Sequence, residues 1–171
     1  DSLTSLTMLQ TNDADFAAVG TISGFEDKFD FIQVGEEQLV LIVPCNHELA
    51  NRSSIKLSEV LKYPFINREE TSGTRKEVER LFNQNKIPFE KLNVTLELAS
   101  TESVITAVSE ARGISIVSSI AARKAQAAKL IKTVTIKEAK TARKLYMAKQ
   151  KKALLKIFEA FWDFCKEYHK D

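Results

Sequence analysis

The chain has 171 residues, 44% of them hydrophobic and 28% charged. That is the composition of an ordinary globular protein, and it excludes a disordered chain, a collagen-like repeat and a disulfide scaffold. No apolar run approaches the roughly 18 residues of a membrane-spanning helix. The start, Asp1-Ser2-Leu3-Thr4, has neither the basic nor the long apolar region of a signal peptide. The net charge of +2 conceals a partition. Residues 1–37 carry eight acids against Lys28, a net of −7; residues 38–122 carry ten of each sign; residues 123–171 carry fourteen bases against five acids, a net of +9. Such a gradient reads either as a nucleic-acid tail or as two oppositely charged segments packed together.

Residues 3–11 place Leu3, Leu6 and Leu9 at i, i+3 and i+6, which predicts a short amphipathic helix. Asn12-Asp13 turns the chain, and the apolar run over 15–20 is a buried strand. A loop around Ser23 and Gly24 follows. Residues 29–34 and 38–43 are two further strands, the second closed by Pro44, which cannot donate to a ladder. Residues 58–61 make a short helix and 64–67 a short strand. The polar segment 68–75 then runs into a helix over 75–85, with Val78, Leu81 and Phe82 as its buried stripe. Residues 92–98 alternate apolar and polar, the pattern of a half-buried strand. A helix over 100–111 turns Val104, Ile105 and Val108 inward, and Gly113 is its left-handed stop. A strand over 114–117, a helix over 118–128, strands over 130–136 and 145–149 and a helix over 154–168 complete the chain. On the last helix Leu154, Ile157, Phe158, Phe161, Trp162 and Cys165 form a core-facing stripe with lysines on the wet side. A docked helix is therefore preferred for this basic third over a nucleic-acid or membrane surface. The alternation of strands and helices predicts an α/β fold with largely parallel sheets.

Three helices start with small hydroxyl residues directly after strands or loops: Thr71-Ser72-Gly73-Thr74-Arg75, Ser100-Thr101-Glu102-Ser103 and Ser118-Ser119. A helix N-terminus exposes unpaired N–H groups and a partial positive charge, which suits an anion. In open α/β sheets ligands bind at the carboxyl ends of the strands. Gly73 admits close approach to the backbone, and Arg75 offers a charge-assisted bond. Ser and Thr are also default N-caps, so each start alone is explained by capping; the Thr71–Arg75 cluster is denser than a cap requires. Catalytic alternatives are thin. There is no GxSxG, HExxH or phosphate-binding P-loop. Cys45 and His47 are the only close pair of zinc-type ligands and read as a strand-end turn, so no metal is expected. Cys45 and Cys165 read as free thiols.

Several of these segments resemble LysR-type transcriptional regulators. Asn12-Asp13-Ala14-Asp15-Phe16 and the apolar run through Thr21 are similar to that family's short loop, Asp and strand. Residues 38–50 are similar to its strand ending in Pro44 and the His47-Glu48-Leu49-Ala50 turn. Residues 68–75 resemble its ligand-side loop, and Thr101-Glu102-Ser103-Val104 with Gly113-Ile114-Ser115-Ile116-Val117 resembles its helix-then-strand element. The resemblance implies a two-lobed periplasmic-binding-protein-like type 2 fold, each lobe a mostly parallel sheet flanked by helices, joined by two crossover strands. Lobe I would be residues 1–41 with 119–171, and lobe II residues 42–118. The implied ligand-binding residues are Thr21, Thr71, Ser72 and Thr74, with Ser100 and Thr101 as weaker carry-overs. The implied function is to sense a small anionic or polar metabolite between the lobes and to control DNA binding by an attached helix-turn-helix domain. That domain, and the first strand-helix-strand of lobe I, are not in this sequence. A homodimer or tetramer in the cytoplasm, with no cofactor, no catalysis and no membrane contact, completes the expectation. The alternatives are a transporter's solute-binding protein, and a dehydratase-like enzyme using a Thr near Thr71. If the resemblance holds, both charged ends fold into one lobe and the gradient is internal complementarity.

Overall fold

The computed structural model describes residues 2–22, 24–139, 142–152 and 155–168. Asp1, Ser23 and Leu154, named above from the sequence, lie outside the described residues. In chain order the elements are α1 (Ser2–Thr11), β1 (Phe16–Val19), β2 (Phe29–Glu37), β3 (Leu39–Pro44), β4 (Ser54–Ile55), β5 (Pro64–Arg68), α2 (Gly73–Gln84), β6 (Asn93–Leu98), α3 (Thr101–Ser109), β7 (Ser115–Ser118), α4 (Ser119–Ala127), β8 (Ile131–Ile136), β9 (Arg143–Gln150) and α5 (Lys156–Tyr168). Short 3₁₀ segments occupy Leu57–Lys62 and Phe89–Lys91.

The chain forms two compact units, Asp1–Glu36 with Arg143–Asp171, and Glu37–Ala142. These divisions differ from the expected ones at 41/42 and 118/119. The reason is strand pairing. β3 is zipped along its length to β7 on one side and β8 on the other. α4 packs back on the same sheet, where Ala122 shares an apolar cluster with Ile42, Val117 and Ile131. Residues 37–41 and 119–139 are therefore held in the second unit.

In the first unit the sheet order is β1-β9-β2, and β1 runs antiparallel to β9 with Ala17 opposite Ala148. Leu6 and Leu9 of α1 are fully buried against Ala17, Val19, Phe29 and Ala148, while Leu3 points outward. On α5, Trp162 and Cys165 are buried and Phe158 is half-buried. Ile157 is 72% and Phe161 43% exposed, so the inward stripe is narrower than the sequence pattern predicted. It follows i, i+4 and i+7, the width of one contact line rather than a full apolar face. The ring of Phe16 meets Phe158, Phe161 and Trp162 at centroid distances of 5.8, 5.1 and 6.0 Å. The two oppositely charged ends of the sequence meet here: Lys149 Nζ lies 2.7 Å from Asp30 and 5.4 Å from the centre of the Trp162 ring.

In the second unit the order β4-β8-β3-β7 forms one sheet and β5-β6 another, bridged by Phe65 opposite Ile114. β4, β5, β6, β7 and β8 share one direction and β3 opposes its neighbours. The expectation of mostly parallel sheets is thus met in this unit apart from β3, and not by the β1–β9 pair. Parallel neighbours need a crossover connection, which α2 supplies between β5 and β6. β3 is a continuous apolar run buried on both faces, as expected of a central strand. The main core gathers Leu41, Val43, Ile55, Leu57, Phe65, Phe82 and Ile114 among others. Each such side chain contributes about 1.5–3 kcal/mol when fully buried. β6 is not the half-buried strand its alternation predicted. It pairs with β5 alone among the described strands, and Val94 and Leu96 are 43% and 39% exposed.

Gly113 plays a different part from the expected helix stop. The left-handed residue at the end of α3 is Ala111, with φ 57°. At Gly113 a Cβ would sit 2.7 Å from the Pro64 carbonyl oxygen. The residue is glycine because β5 and β7 approach each other there.

Candidate functional site

The parallel pair β5–β6 ends with Arg68 opposite Leu98, and a helix begins shortly after each strand. Beside β5, Ile66 N–H donates to Ile114 O and Ile114 N–H to Pro64 O, both at 2.9 Å, so β7 continues the same parallel arrangement. α2, α3 and α4 therefore all begin at the carboxyl ends of neighbouring strands, where oriented N–H groups converge. Each start is capped by a serine. Ser72 Oγ accepts from Arg75 N–H at 3.4 Å and Ser100 Oγ from Ser103 N–H at 3.0 Å. Ser118 Oγ accepts from the N–H groups of Ile120 and Ala121 at 3.1 and 3.4 Å.

The three starts differ in what they face. The α4 start already has an anion of its own. The buried carboxylate of Glu37 accepts a hydrogen bond from Ser118 Oγ, and a carboxylate at a helix N-terminus is stabilised by the helix dipole. Ser119 Oγ additionally accepts from Gln38 N–H at 3.4 Å. Of the three candidate anion sites read from the sequence, this one is filled from within the chain.

The α2 and α3 starts are joined by Arg68. Its Nε and Nη2 donate to Glu69 at 2.7 and 2.6 Å, its Nη1 donates to Thr101 Oγ1, and its Nη2 reaches the Ala99 carbonyl at 3.4 Å. Glu69 N–H donates to Leu98 O at 3.3 Å, closing the link at the backbone. The guanidinium holds the Glu69 carboxyl below its ordinary range, chiefly by direct hydrogen bonding. Arg75, expected as the charge for a ligand, is instead enclosed by acids. Its Nε lies 2.9 Å from Glu79, its Nη1 2.7 Å from Glu97 and its Nη2 3.9 Å from Glu70, and Nη1 also donates to the Arg68 carbonyl at 3.0 Å. Burial lowers its pKa, but the bonds to Glu79 and Glu97 outweigh this and the net shift is upward. Arg75 acts as a brace between α2 and β6.

Thr71, Ser72 and Thr74 thus cluster at the α2 start, with Ser72 1% exposed and Thr71 on the surface. Ser100 and Thr101 stand at the α3 start, half-buried, and the Arg68 bridge brings these two groups together. Thr21 follows β1 in the other unit and is half-buried there. The sequence pattern did not single out Arg68 or Glu37. Arg68 carries one signal, a charged residue at the inner end of a buried strand, but its partner Thr101 is 33 positions away. Among the described residues there is no group of three or more His, Cys, Asp or Glu that could hold a metal ion. Cys45 is exposed and Cys165 buried, both as free thiols. No helix is long and apolar enough among the described residues to cross a membrane.

A family model described as the LysR substrate binding domain matches residues 1–170. An uncharacterized HTH-type transcriptional regulator of Methanocaldococcus jannaschii, MJ0300, is 41% identical over 152 residues. That match covers 88% of this chain and 51% of the relative, so the chain spans about half the relative's length. Among solved structures, the regulatory domain of CcmR from Synechocystis PCC6803 in complex with 2-PG superposes with a TM-score of 0.87 at 27% identity, covering 100% of this chain and 81% of that one. The effector binding domain of QuiR in complex with shikimate gives 0.86 at 28% identity, covering 96% and 76%. The mixed α/β fold described above is the fold of these effector domains.

Proposed function

Because this chain belongs to the LysR substrate-binding domain family, we propose that it is the effector-sensing part of a transcriptional regulator and binds a small anionic or polar metabolite at the α2 and α3 starts. The observation that carries this reading is the pair of serine-capped helix N-termini at the carboxyl ends of β5 and β6, held side by side by Arg68. With Arg68 and Arg75 each matched to carboxylates, recognition falls to hydroxyls and backbone N–H groups. Thr71, Ser72, Thr74, Ser100 and Thr101 supply these. Such a site suits a compact ligand bearing a carboxylate or several hydroxyls, the chemistry of the shikimate found in the QuiR structure. Thr21 rests on the family resemblance alone.

Ligand binding would act on DNA through a helix-turn-helix domain outside this sequence, in a cytoplasmic homodimer or tetramer. The domain performs no catalysis in this account. The solute-binding alternative is not favoured, since the family model describes a LysR domain and the relative is a transcriptional regulator. Calorimetric titration with shikimate, 2-PG and other small hydroxy and phosphorylated acids tests the proposal. Thr71→Ala is expected to weaken whichever ligand binds, by roughly tenfold for one lost hydrogen bond to a charged group. Equal affinities in wild type, Thr71→Ala and Ser72→Ala would remove this site.

A further inference from the structure

At the opposite end of the same strands lies a cavity of about 380 Å³, lined by Pro44, Asn46, His47, Glu48, Pro64 and the turn Ala111–Ile114. That volume falls within the range of small-molecule sites. Its shape follows from strand register. β3 pairs antiparallel with β7, Ile42 opposite Ser115, so the turn after Pro44 faces the turn before Ser115. The close approach of Gly113 to Pro64 fixes the floor.

The side chains of His47, Asn46 and Arg112 each bring a donor that has no acceptor among the described residues. His47 Nδ1 accepts from Leu49 N–H at 3.2 Å, which assigns the proton of the neutral ring to Nε2. The ring is held edge-on against Tyr63 at 5.1 Å. Burial pushes the imidazole pKa down, with Glu48 opposing, so the neutral tautomer persists at neutral pH. Nε2–H therefore remains a fixed donor for which the described residues provide no acceptor. Arg112 also lines the cavity, is exposed, and takes part in no ion pair or side-chain hydrogen bond among the described residues. It differs in this from Arg52, Arg68, Arg75 and Arg80, each of which is matched to a carboxylate. Glu48, the acid lining the cavity, lies close enough to Tyr63 to raise the pKa of its hydroxyl. The Asn46 side-chain amide adds a further donor to the rim.

We propose that this cavity is a second binding site, taking a small oxyanion of the phosphate class between His47 Nε2–H and the Arg112 guanidinium. A planar guanidinium fork matched to phosphate oxygens is a favoured pairing. The site lies at the amino-terminal edge of β5 and β7, whereas α2, α3 and α4 start at their carboxyl ends. It is therefore distinct from the effector site proposed above and does not depend on it.

The test is a titration of the whole 171-residue chain with inorganic phosphate, read by ¹⁵N amide shifts at constant ionic strength, with sodium chloride as the control. The expected result is saturable movement of the amides of residues 46–48 and 112–114, with the His47 ring Nε2 resonance following. Arg112→Gln, at an exposed position, is expected to weaken binding roughly tenfold for the loss of one charge-assisted contact. Thr71→Ala, which reports on the effector site, is expected to leave this titration unchanged. A parallel arm with methyl phosphate distinguishes the sources: tighter binding of the ester assigns a phosphorylated metabolite, and tighter binding of the free ion assigns inorganic phosphate. Absence of saturable shifts at residues 46–48 and 112–114 would overturn the proposal, as would wild-type affinity in Arg112→Gln. Failure of the effector site would appear separately, as unchanged ligand affinity in Thr71→Ala.

Discussion

Gly113→Ala probes the close contact between β5 and β7. The new Cβ would meet Pro64 O at 2.7 Å, Pro64 C at 3.2 Å and Ile66 Cγ1 at 3.3 Å. Two of these three atoms are backbone, so no rotamer change relieves the clash and β5 must move away from β7. That movement strains the two 2.9 Å bonds between Pro64, Ile66 and Ile114. Two backbone hydrogen bonds at about 1 kcal/mol each give roughly 2 kcal/mol. Overpacking against the fully buried Ile66 adds about 1–2 kcal/mol. A loss of about 3–4 kcal/mol corresponds to a melting-temperature drop of roughly 6–16 °C for a chain of this size. Urea denaturation and calorimetry read both quantities. Gly35→Ala is the control, because nothing lies within 4 Å of its Cβ position, and it should stay within about 0.5 kcal/mol of wild type. A Gly113→Ala variant as stable as the Gly35→Ala variant would refute the steric argument and, with it, the role of this contact in setting the two ends of the β5–β7 pair.

Ser118→Ala removes both the α4 cap and a donor to the buried Glu37 carboxylate; a loss of about 1–3 kcal/mol in urea denaturation is expected, and an unchanged midpoint would show that the pair carries no load. Phe16→Ala deletes a ring that touches Phe158, Phe161 and Trp162; about 2–3 kcal/mol should be lost, with a red shift of Trp162 fluorescence as water reaches the indole. The Glu59 carboxyl, bonded first by Arg52 and then by the Lys56 N–H, has its pKa lowered to about 2. Its folded-state pKa lies below its unfolded value, so its contribution is present above the unfolded carboxylate range and is lost as pH falls towards about 2. NMR titration should place its midpoint there, and Arg52→Ala should move it upward. Burial lowers the His47 pKa, so acidification below the ordinary histidine range protonates the unfolded chain first and destabilises the fold; His47→Gln should flatten that part of the stability profile.

What the sequence disclosed was governed by distance along the chain. The apolar periodicity of Val78, Leu81 and Phe82, and the unbroken run of β3, are local signals, and both become buried faces. The helix starts at Ser72, Ser100 and Ser118 were legible for the same reason, since a cap bonds an N–H only two or three residues away. What those starts face was not legible. Glu37 reaches Ser118 across 81 positions and Arg75 reaches Glu97 across 22. Neither pairing leaves a periodic trace, so a self-filled anion site and a ligand arginine looked alike from the sequence. The exposure of β6 is a third case: alternation predicts a buried face, but at an edge strand nothing need cover it.

The central claim is that the α2 and α3 starts hold the effector. Amide-shift mapping on the intact chain, titrated with the tightest small acid found by calorimetry, addresses it directly. The account predicts saturable shifts centred on residues 71–74 and 100–103, transmitted to the Arg68–Thr101 link, with the midpoint of all of them moved together to roughly tenfold higher ligand by Thr71→Ala. Saturable binding that leaves both helix starts unmoved would contradict it.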